Sequence, residues 1–181
     1  MVLYVMRHGT TKWNEQNIIQ GRSNNRLSKR GIELVKQSAI DYKSTKFDII
    51  YSSPLMRAIQ TANIMNEFHN IKILKDERLI ETDEGVFSKK PQVSLTKAEI
   101  YAQTHRLPGY GVESWQSVHN RMQDFVDFIK QNCNCESILI VTHDLPATCL
   151  ENILLNKKID YTQDKIYTKN FNNAEVRQYK I

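Results

Sequence analysis

The residues best suited to chemistry in this sequence lie where three short apolar runs end. The first run is followed by Arg7-His8-Gly9, the second by Ser52-Ser53-Pro54 with Arg57 one helical turn later, and the third by Thr142-His143-Asp144. A neutral imidazole is a nucleophile near pH 7, and a guanidinium group binds anionic oxygens through two hydrogen bonds. An isolated Arg-His-Gly usually only solvates the end of a strand. Three such ends in one chain indicate a site where two histidines and two arginines converge on an anion.

The apolar runs are the strands that would position these residues. They predict strands at 4–6, 47–51, 72–79 and 137–141, and a hairpin formed by 165–168 and 174–179 at a sheet edge. Amphipathic segments predict helices at 29–43 (with Ser28 as N-cap), 54–68, 95–104, from 113 or 114 onward, and 146–155. This alternation predicts an α/β fold, a three-layer α/β/α sandwich with a mostly parallel central sheet, in one domain over residues 1–181. Ligands bind beyond the carboxyl ends of such strands.

Two irregular segments would border this site. Residues 10–26 are mostly polar, which suits a loop that covers it. Residues 85–112 form a lid-like insertion interrupted by prolines. The basic residues Lys89, Lys90 and Arg106 of the insertion either face the distal part of a ligand or form a solvated lid surface.

Composition restricts the class of protein and its partners. The net charge of +5 and pI near 9.0 fit an anionic partner, but the basic residues are dispersed and no nucleic-acid-binding signature occurs. The longest apolar runs are too short to span a bilayer, and the first residues do not form a signal peptide. Three cysteines, an odd number, favour a reducing compartment over a disulfide framework. We therefore expect a cytoplasmic protein, and a small phosphorylated substrate would explain the sign of its charge as well as a nucleic acid would.

Taken in order along the chain, these motifs resemble the histidine phosphatase superfamily, the phosphoglycerate mutase-like proteins. The resemblance rests on Arg7-His8-Gly9-Thr10-Thr11 with Trp13-Asn14, Gln20-Gly21, Leu27-Ser28 through Gly31, Ser52 through Ala58 with Gln60-Thr61-Ala62, Leu79 through Gly85, Glu113-Ser114 and Val141-Thr142-His143. Each motif alone is weak, but the ordered set spans most of the chain. It implies a phosphoglycerate mutase-like fold and phosphoryl-transfer chemistry.

The resemblance also implies a role for each matching residue. His8 is the implied nucleophile, which attacks phosphorus and forms a phosphohistidine. The implied ligands of the substrate phosphate are Arg7, Arg57 and His143, with Asn14, Gln20 and Gly21 contributed by the covering loop. Glu81 matches the general acid that protonates the leaving oxygen. Because the protein supplies the positive charge itself, we expect neither a metal ion nor a cofactor.

Asp144 departs from the small phosphatase type, in which a small residue commonly follows the second histidine. In the acid phosphatase branch of the superfamily, an aspartate at this position is the proton donor. An ionised Asp144 aimed at the phosphate would repel it. Two alternatives follow: Asp144 is protonated and catalytic, or it turns away and holds a neighbouring group. Glu81 is the preferred acid, with Asp144 a second candidate.

Three functions are consistent with these residues. The preferred one is a phosphomonoesterase, in which water releases the phosphoryl group from His8. A mutase-type transfer would require larger closing segments that keep water from the phosphoenzyme. A catalytically silent binding or regulatory relative has no need to retain the complete set of site residues. The expected partner is a small phosphorylated metabolite, not a nucleic acid or a membrane, and the edge hairpin leaves a homodimer open.

Overall fold

A five-stranded sheet forms the centre of the computed structural model, which describes residues 1–157 and 170–181. Its strands are β1 (Val2–Arg7), β2 (Ile49–Ser52), β3 (Ile73–Lys75), β4 (Ser137–Thr142) and β5 (Val176–Lys180). They lie in the order β3-β2-β4-β1-β5, and each pair is parallel except β1 with β5, which is antiparallel. The predicted mostly parallel sheet is confirmed.

Helices cover both faces of this sheet. They are α1 (Lys12–Glu15), α2 (Lys29–Asp41), α3 (Met56–Met65), α4 (Lys97–Thr104), α5 (Trp115–Asn132) and α6 (Asp144–Leu154). Along β4, Ile138 and Ile140 pack in a buried cluster with α5 and α6, whereas Leu139 and Val141 pack with α2 and α3. The two-residue period of a strand requires this alternation, which produces the predicted three layers. Among the described helices, none combines the length and apolar character needed to cross a membrane.

Most predicted helices and strands begin and end within three residues of the observed bounds. The exception is the strand predicted over residues 72–79. They form the three-residue β3 and then a 3-10 helix at Glu77–Leu79. The Asp76 carboxylate accepts a hydrogen bond from the backbone N–H of Arg78 at 2.9 Å and caps this turn, which takes the chain out of the sheet. Of the predicted hairpin, the segment 174–179 overlaps β5, whereas 165–168 lies outside the described residues.

The odd cysteine count favours a reducing compartment over a disulfide framework, but two of the three cysteines are bonded to each other. Cys133 and Cys135, directly after α5, form a disulfide. Their Cα atoms lie 5.2 Å apart, within the range that a disulfide requires, even though only one residue separates them. Cys149 lies buried in α6, outside this disulfide.

The lid-like insertion packs against the loop that follows β1. It contains short 3-10 helices at Gly85–Phe87 and Gln92–Ser94 and the helix α4. Phe87, Leu95 and Ala102 of the insertion form a small buried cluster with Ile19 of the loop. Backbone hydrogen bonds of 2.9 and 2.8 Å connect Ile19 to Lys90 and Lys89. The insertion and the loop therefore form a joined border above the ends of the strands.

Candidate active site

The two predicted site histidines lie side by side beyond the carboxyl ends of the central strands. Arg7 is paired with Thr142 in the register of β1 and β4, so the residues that follow them, His8 and His143, leave the sheet at the same edge. Their ring centroids are 5.0 Å apart. Both side chains are buried. The pairing of β1 with β4 thus brings together two residues that are far apart in the sequence.

The hydrogen bonds of His8 indicate which of its nitrogens carries the proton. Nδ1 lies 2.7 Å from the carbonyl oxygen of Gly9, which can only accept, so Nδ1 carries the hydrogen. The Nε–H of Arg57 donates to His8 Nε2 at 3.1 Å, which requires a lone pair on Nε2. Burial, and after it the charges of Arg57 and Arg7, lower the pKa of His8 well below its usual 6.5. His8 is therefore a neutral imidazole near pH 7, with its lone pair on Nε2.

Arg57, in the first turn of α3, connects His8 to the covering loop. Besides its contact with His8, it donates to the carbonyl oxygens of Ser23 at 2.6 Å and Gly21 at 2.9 Å. Burial lowers the pKa of Arg57 to about 10, which leaves it a cation near neutral pH. Gly21 has a φ of +49°, a left-handed conformation that glycine adopts without strain. That conformation presents the Gly21 carbonyl to the guanidinium.

Glu81 reaches the site from the segment that follows the Glu77–Leu79 turn. Its Oε1 accepts a 2.8 Å hydrogen bond from the backbone N–H of Thr82, and its Oε2 lies 4.0 Å from Nδ1 of His143. Burial raises the pKa of Glu81 to about 7, against the lowering effects of Arg57 and of the Thr82 N–H. Such a carboxyl group occurs in both protonation states near neutral pH, which suits a group that gives and takes a proton.

His143 is the N-cap residue of α6 and is fully buried. Its Nε2 lies 2.7 Å from Oγ of Ser53, which also accepts from the backbone N–H of Leu55 at 3.3 Å. Its Nδ1 is buried and has no hydrogen-bond partner among the described residues. We assign the Ser53 hydroxyl as donor to Nε2, which places the ring proton on Nδ1. Burial, and then the charges of Arg57 and His8, lower the pKa of His143 well below 6.5.

Asp144 is engaged with its neighbours. Its Oδ2 lies 3.3 Å from NH1 of Arg7, and its Oδ1 accepts a 2.9 Å hydrogen bond from the backbone N–H of Phe171. Arg7 also donates to the carbonyl oxygen of Phe171 at 2.5 Å. Burial raises the pKa of Asp144, while Arg7 and the Phe171 N–H lower it. Of the two alternatives for Asp144, this arrangement matches the one in which it holds a neighbouring group.

The two amides of the covering loop are oriented by Thr11. Asn14 Oδ1 accepts from the backbone N–H of Thr11 at 3.0 Å, and Gln20 Oε1 lies 3.0 Å from the Thr11 hydroxyl. Gln20 Oε1 also accepts from Asn25 at 3.3 Å. With their oxygens engaged in this way, the NH₂ groups are the ends that a ligand can use.

A cavity of about 500 Å³ lies beside these groups. The predicted site residues in its wall are Arg7, His8, Asn14, Gln20, Gly21, Glu81 and Asp144. Arg57 and His143 are fully buried and reach the site through their contacts with His8, Ser53 and Glu81. The structure therefore brings all nine predicted residues to one place, seven in the cavity wall and two buried next to it.

The insertion and the residues on either side of it add side chains to this wall that sequence reasoning did not assign to the site. They include Glu84, Gln92, Gln103, Thr104 and Trp115. Of the three basic residues considered for the insertion, Arg106 lines the cavity and pairs with Glu84 at 2.8 Å, whereas Lys90 pairs with Glu99 instead. For Glu84, its position three residues after Glu81 in the sequence could have indicated that it belongs to the site. No cluster of side chains suited to a metal ion occurs in residues 1–157 and 170–181.

Comparison with known proteins connects this chain to a family. A model of the histidine phosphatase superfamily (branch 1) matches residues 3–179. Phosphoserine phosphatase 1 of Hydrogenobacter thermophilus is 30% identical over 162 residues, which cover 84% of this chain and 75% of that protein. A Proteus mirabilis protein named "Probable phosphoglycerate mutase GpmB" is 29% identical over 182 residues, 96% of this chain and 83% of its own.

Solved structures have a fold similar to that of this chain. The alpha-ribazole phosphatase of Shigella flexneri superimposes with a TM-score of 0.85 at 22% identity, over 98% of this chain and 89% of that one. A phosphoserine phosphatase mutant from Entamoeba histolytica, in complex with phosphoserine, gives a TM-score of 0.80 at 25% identity over 98% and 89% of the two chains. The predicted fold and the predicted enzyme class, a phosphatase, are confirmed by these comparisons. The chain belongs to the histidine phosphatase superfamily, branch 1.

Proposed function

We propose that this protein is a metal-independent phosphomonoesterase that works through a phosphohistidine on Nε2 of His8. The observation that carries the proposal is the state of that imidazole. Nδ1 is committed to the Gly9 carbonyl, and the lone pair of Nε2 accepts a hydrogen bond from Arg57. A neutral imidazole held in one tautomer is ready to attack phosphorus without first losing a proton.

The groups around His8 would stabilise the transferring phosphoryl group. Charge spreads over its equatorial oxygens during transfer, and donors fixed in advance stabilise that charge most. Arg7 and Arg57 supply two guanidiniums, and the Nδ1–H of His143 has no hydrogen-bond partner among the described residues to give up before it donates. The NH₂ groups of Asn14 and Gln20 add neutral donors. Because these residues supply the positive charge, we expect the reaction to proceed without a metal ion.

Glu81 would move the proton in both half-reactions. As Nε2 of His8 bonds to phosphorus, the ester P–O bond breaks and the leaving oxygen takes the proton of the Glu81 carboxyl group. Water then attacks phosphorus and passes a proton to the Glu81 carboxylate. As the new P–O bond forms, the P–N bond to His8 breaks. The products are an alcohol and inorganic phosphate, and both His8 and Glu81 return to their starting states. A pKa of about 7 equips one carboxyl group for both roles.

Asp144 acts in this scheme as a positioning residue. Its carboxylate contacts Arg7 and the Phe171 N–H, so it fixes the guanidinium that receives the substrate phosphate. An ionised Asp144 paired with Arg7 repels an incoming phosphate less than a free carboxylate would.

A mutase is the second candidate, and the Proteus mirabilis relative favours it by name. Both functions begin with phosphorylation of His8. They differ in the next step, since a mutase returns the phosphoryl group to an organic acceptor and a phosphatase gives it to water. The lifetime of the phosphoenzyme without an acceptor separates them: a phosphatase loses the group within the time of one turnover, and a mutase retains it.

Hydrolysis of an aryl phosphate in excess chelator tests the proposal directly. We expect turnover that chelator leaves unchanged and that His8→Ala abolishes. His69→Ala is a matched control, because His69 lies beyond the far end of α3 and packs on Phe47 with a centroid distance of 4.8 Å. An inactive wild-type enzyme, or activity that survives His8→Ala, would refute the proposal, and the former would favour a silent binding relative.

A further inference from the structure

We propose that Arg121 is a positioning residue for the reaction, which acts by fixing the backbone that carries Glu81. Arg121 belongs to α5 and does not line the cavity, so it influences the reaction through Glu81 and not by touching the substrate. The inference rests on the proposed function, because it concerns the step in which Glu81 gives its proton to the leaving oxygen.

The backbone that leads to Glu81 is held by Arg121. After the 3-10 turn at Glu77–Leu79 this backbone lies outside the sheet, so its carbonyl groups need partners other than a strand. NH1 of Arg121 donates to the carbonyl oxygen of Arg78 at 2.5 Å and to that of Ile80, the residue directly before Glu81, at 2.6 Å. One guanidinium nitrogen therefore fixes two carbonyl groups within the three residues that precede the general acid.

Glu113 fixes Arg121 from its other side. The Nε and NH2 of Arg121 donate to the two carboxylate oxygens of Glu113 at 2.9 and 3.1 Å, which makes a bidentate pair. The backbone N–H of Glu113 also donates to the carbonyl oxygen of Asp83 at 2.9 Å. The side chains of Arg121 and Glu113 are only 14% and 8% exposed, so water competes little for these contacts. The pair thus holds the backbone on both sides of Glu81.

Helix α5 gives Arg121 a rigid base. Val118, Met122 and Phe125 of this helix are fully buried in the cluster that covers one face of the sheet. Because such a core is close-packed, α5 cannot shift without disturbing many contacts. Arg121 therefore connects a segment that belongs to no strand or helix to one of the best-packed elements of the fold.

The orientation of the Glu81 carboxyl group depends on that segment. Its Oε1 accepts a hydrogen bond of 2.8 Å from the backbone N–H of Thr82, so the carboxyl group moves with the backbone around it. A general acid must lie within hydrogen-bond reach of the atom that it protonates. A displacement of about 1 Å can cost about 10²-fold in rate. The contacts of Arg121 thus contribute to kcat.

The charge of Arg121 offers a second route to the site, and it can be separated from the hydrogen bonds. Burial, the charges of Arg57 and His8 and then that of Arg121 lower the pKa of His143. Lysine would keep the positive charge. Its single ammonium group cannot reproduce the planar fork that meets two carbonyl oxygens and a carboxylate together. Arg121→Lys therefore removes the directed contacts and keeps the charge.

Kinetics on an alkyl and an aryl phosphate, with and without Glu81, test the inference. We expect Arg121→Lys to lower kcat on the alkyl phosphate by about tenfold or more, and on the aryl phosphate by less than about threefold, because only the alkyl leaving group needs the proton of Glu81. In a Glu81→Gln background the same substitution should lower kcat on the alkyl phosphate by less than about twofold, since the group through which it acts is already gone. Arg30→Lys is the matched control at an exposed arginine of α2, and it should leave both rates unchanged.

The double variant Glu113→Gln/Arg121→Met answers the case in which Arg121→Lys fails to fold. It removes both members of the pair, which avoids leaving the buried Glu113 carboxylate without its cation, and it should show the same difference between the two substrates. Equal losses on both substrates, wild-type kinetics, or a further loss of about tenfold in the Glu81→Gln background would overturn the inference and leave the proposed function intact. If Glu81→Gln alone leaves alkyl phosphate turnover unchanged, Glu81 is not the acid, and the assigned role of Arg121 is refuted with it.

Discussion

Glu81→Gln should make the folded protein more stable at alkaline pH, although it removes a group proposed to be catalytic. The pKa of Glu81 is raised from 4.5 to about 7 in the folded protein, chiefly by burial. Each pKa unit corresponds to about 1.4 kcal/mol, so the ionised carboxylate destabilises the fold by about 3 kcal/mol at pH 8. Glutamine has nearly the same shape without the charge, and its oxygen can still accept from the Thr82 N–H.

The sign of the pH dependence follows from the raised pKa of Glu81. Below pH 4.5, Glu81 is protonated in both the folded and the unfolded chain, so the wild type and the variant should have similar free energies of unfolding. Between pH 4.5 and about 7 the unfolded chain releases its proton first, and the wild type loses stability relative to the variant. Above about pH 7 the difference should be constant, at its full size.

Urea unfolding of both proteins from pH 4 to pH 8 measures this difference. Glu67→Gln is the matched control, because Glu67 is exposed in the turn after α3, and it should change the free energy of unfolding by less than about 0.5 kcal/mol at each pH. The reasoning is refuted if Glu81→Gln is no more stable than the wild type at pH 8, or if its advantage grows as the pH falls. The same variant should lose about 10²-fold or more in kcat on an alkyl phosphate, and less on an aryl phosphate, whose leaving group needs no proton.

Two further substitutions probe the groups that surround His8. Arg57→Lys should lower kcat/KM for any phosphate ester by about 10²-fold or more, because one ammonium group cannot replace three directed contacts to His8, Gly21 and Ser23. Steady-state kinetics measures this loss, and a near-normal circular dichroism spectrum shows that the variant is folded. Unchanged kinetics would contradict the prediction. Asp144→Asn should raise KM several-fold by loosening Arg7. The fall in kcat at alkaline pH, which we attribute to loss of the proton of Glu81, should remain in this variant. If that fall disappears, Asp144 is the proton donor instead.

The part of the site that sequence reasoning identified is the part that depends on local patterns and on sheet geometry. His8 and His143 each follow an apolar run, and parallel pairing of neighbouring strands places such positions together whatever the intervening chain does. Arg57 follows from a helix that begins directly after β2. These residues are set by strands and helices whose periodicity is visible in the sequence.

Other features depend on contacts between segments without periodicity. Arg106 meets Glu84 only because the insertion folds back over the loop after Glu81, and no pattern in residues 85–112 encodes that path. The contact between Asp144 and Phe171 also could not be predicted from a local pattern, because Phe171 belongs to the distant C-terminal segment. Residues 72–79 have the composition of a strand, but the local cap made by Asp76 overrides it.

Detection and mapping of the phosphoenzyme is the most direct test of the central role of His8. The enzyme is mixed with substrate, quenched within one turnover under alkaline conditions, and analysed by intact-protein and fragment mass spectrometry, with phosphorus NMR to identify the bonded nitrogen. We predict a gain of one phosphoryl group on Nε2 of His8, absent in His8→Ala and present in His69→Ala. A phosphoryl group on Nδ1 or on another residue, or steady-state turnover with no phosphoenzyme at any quench time, would contradict the account.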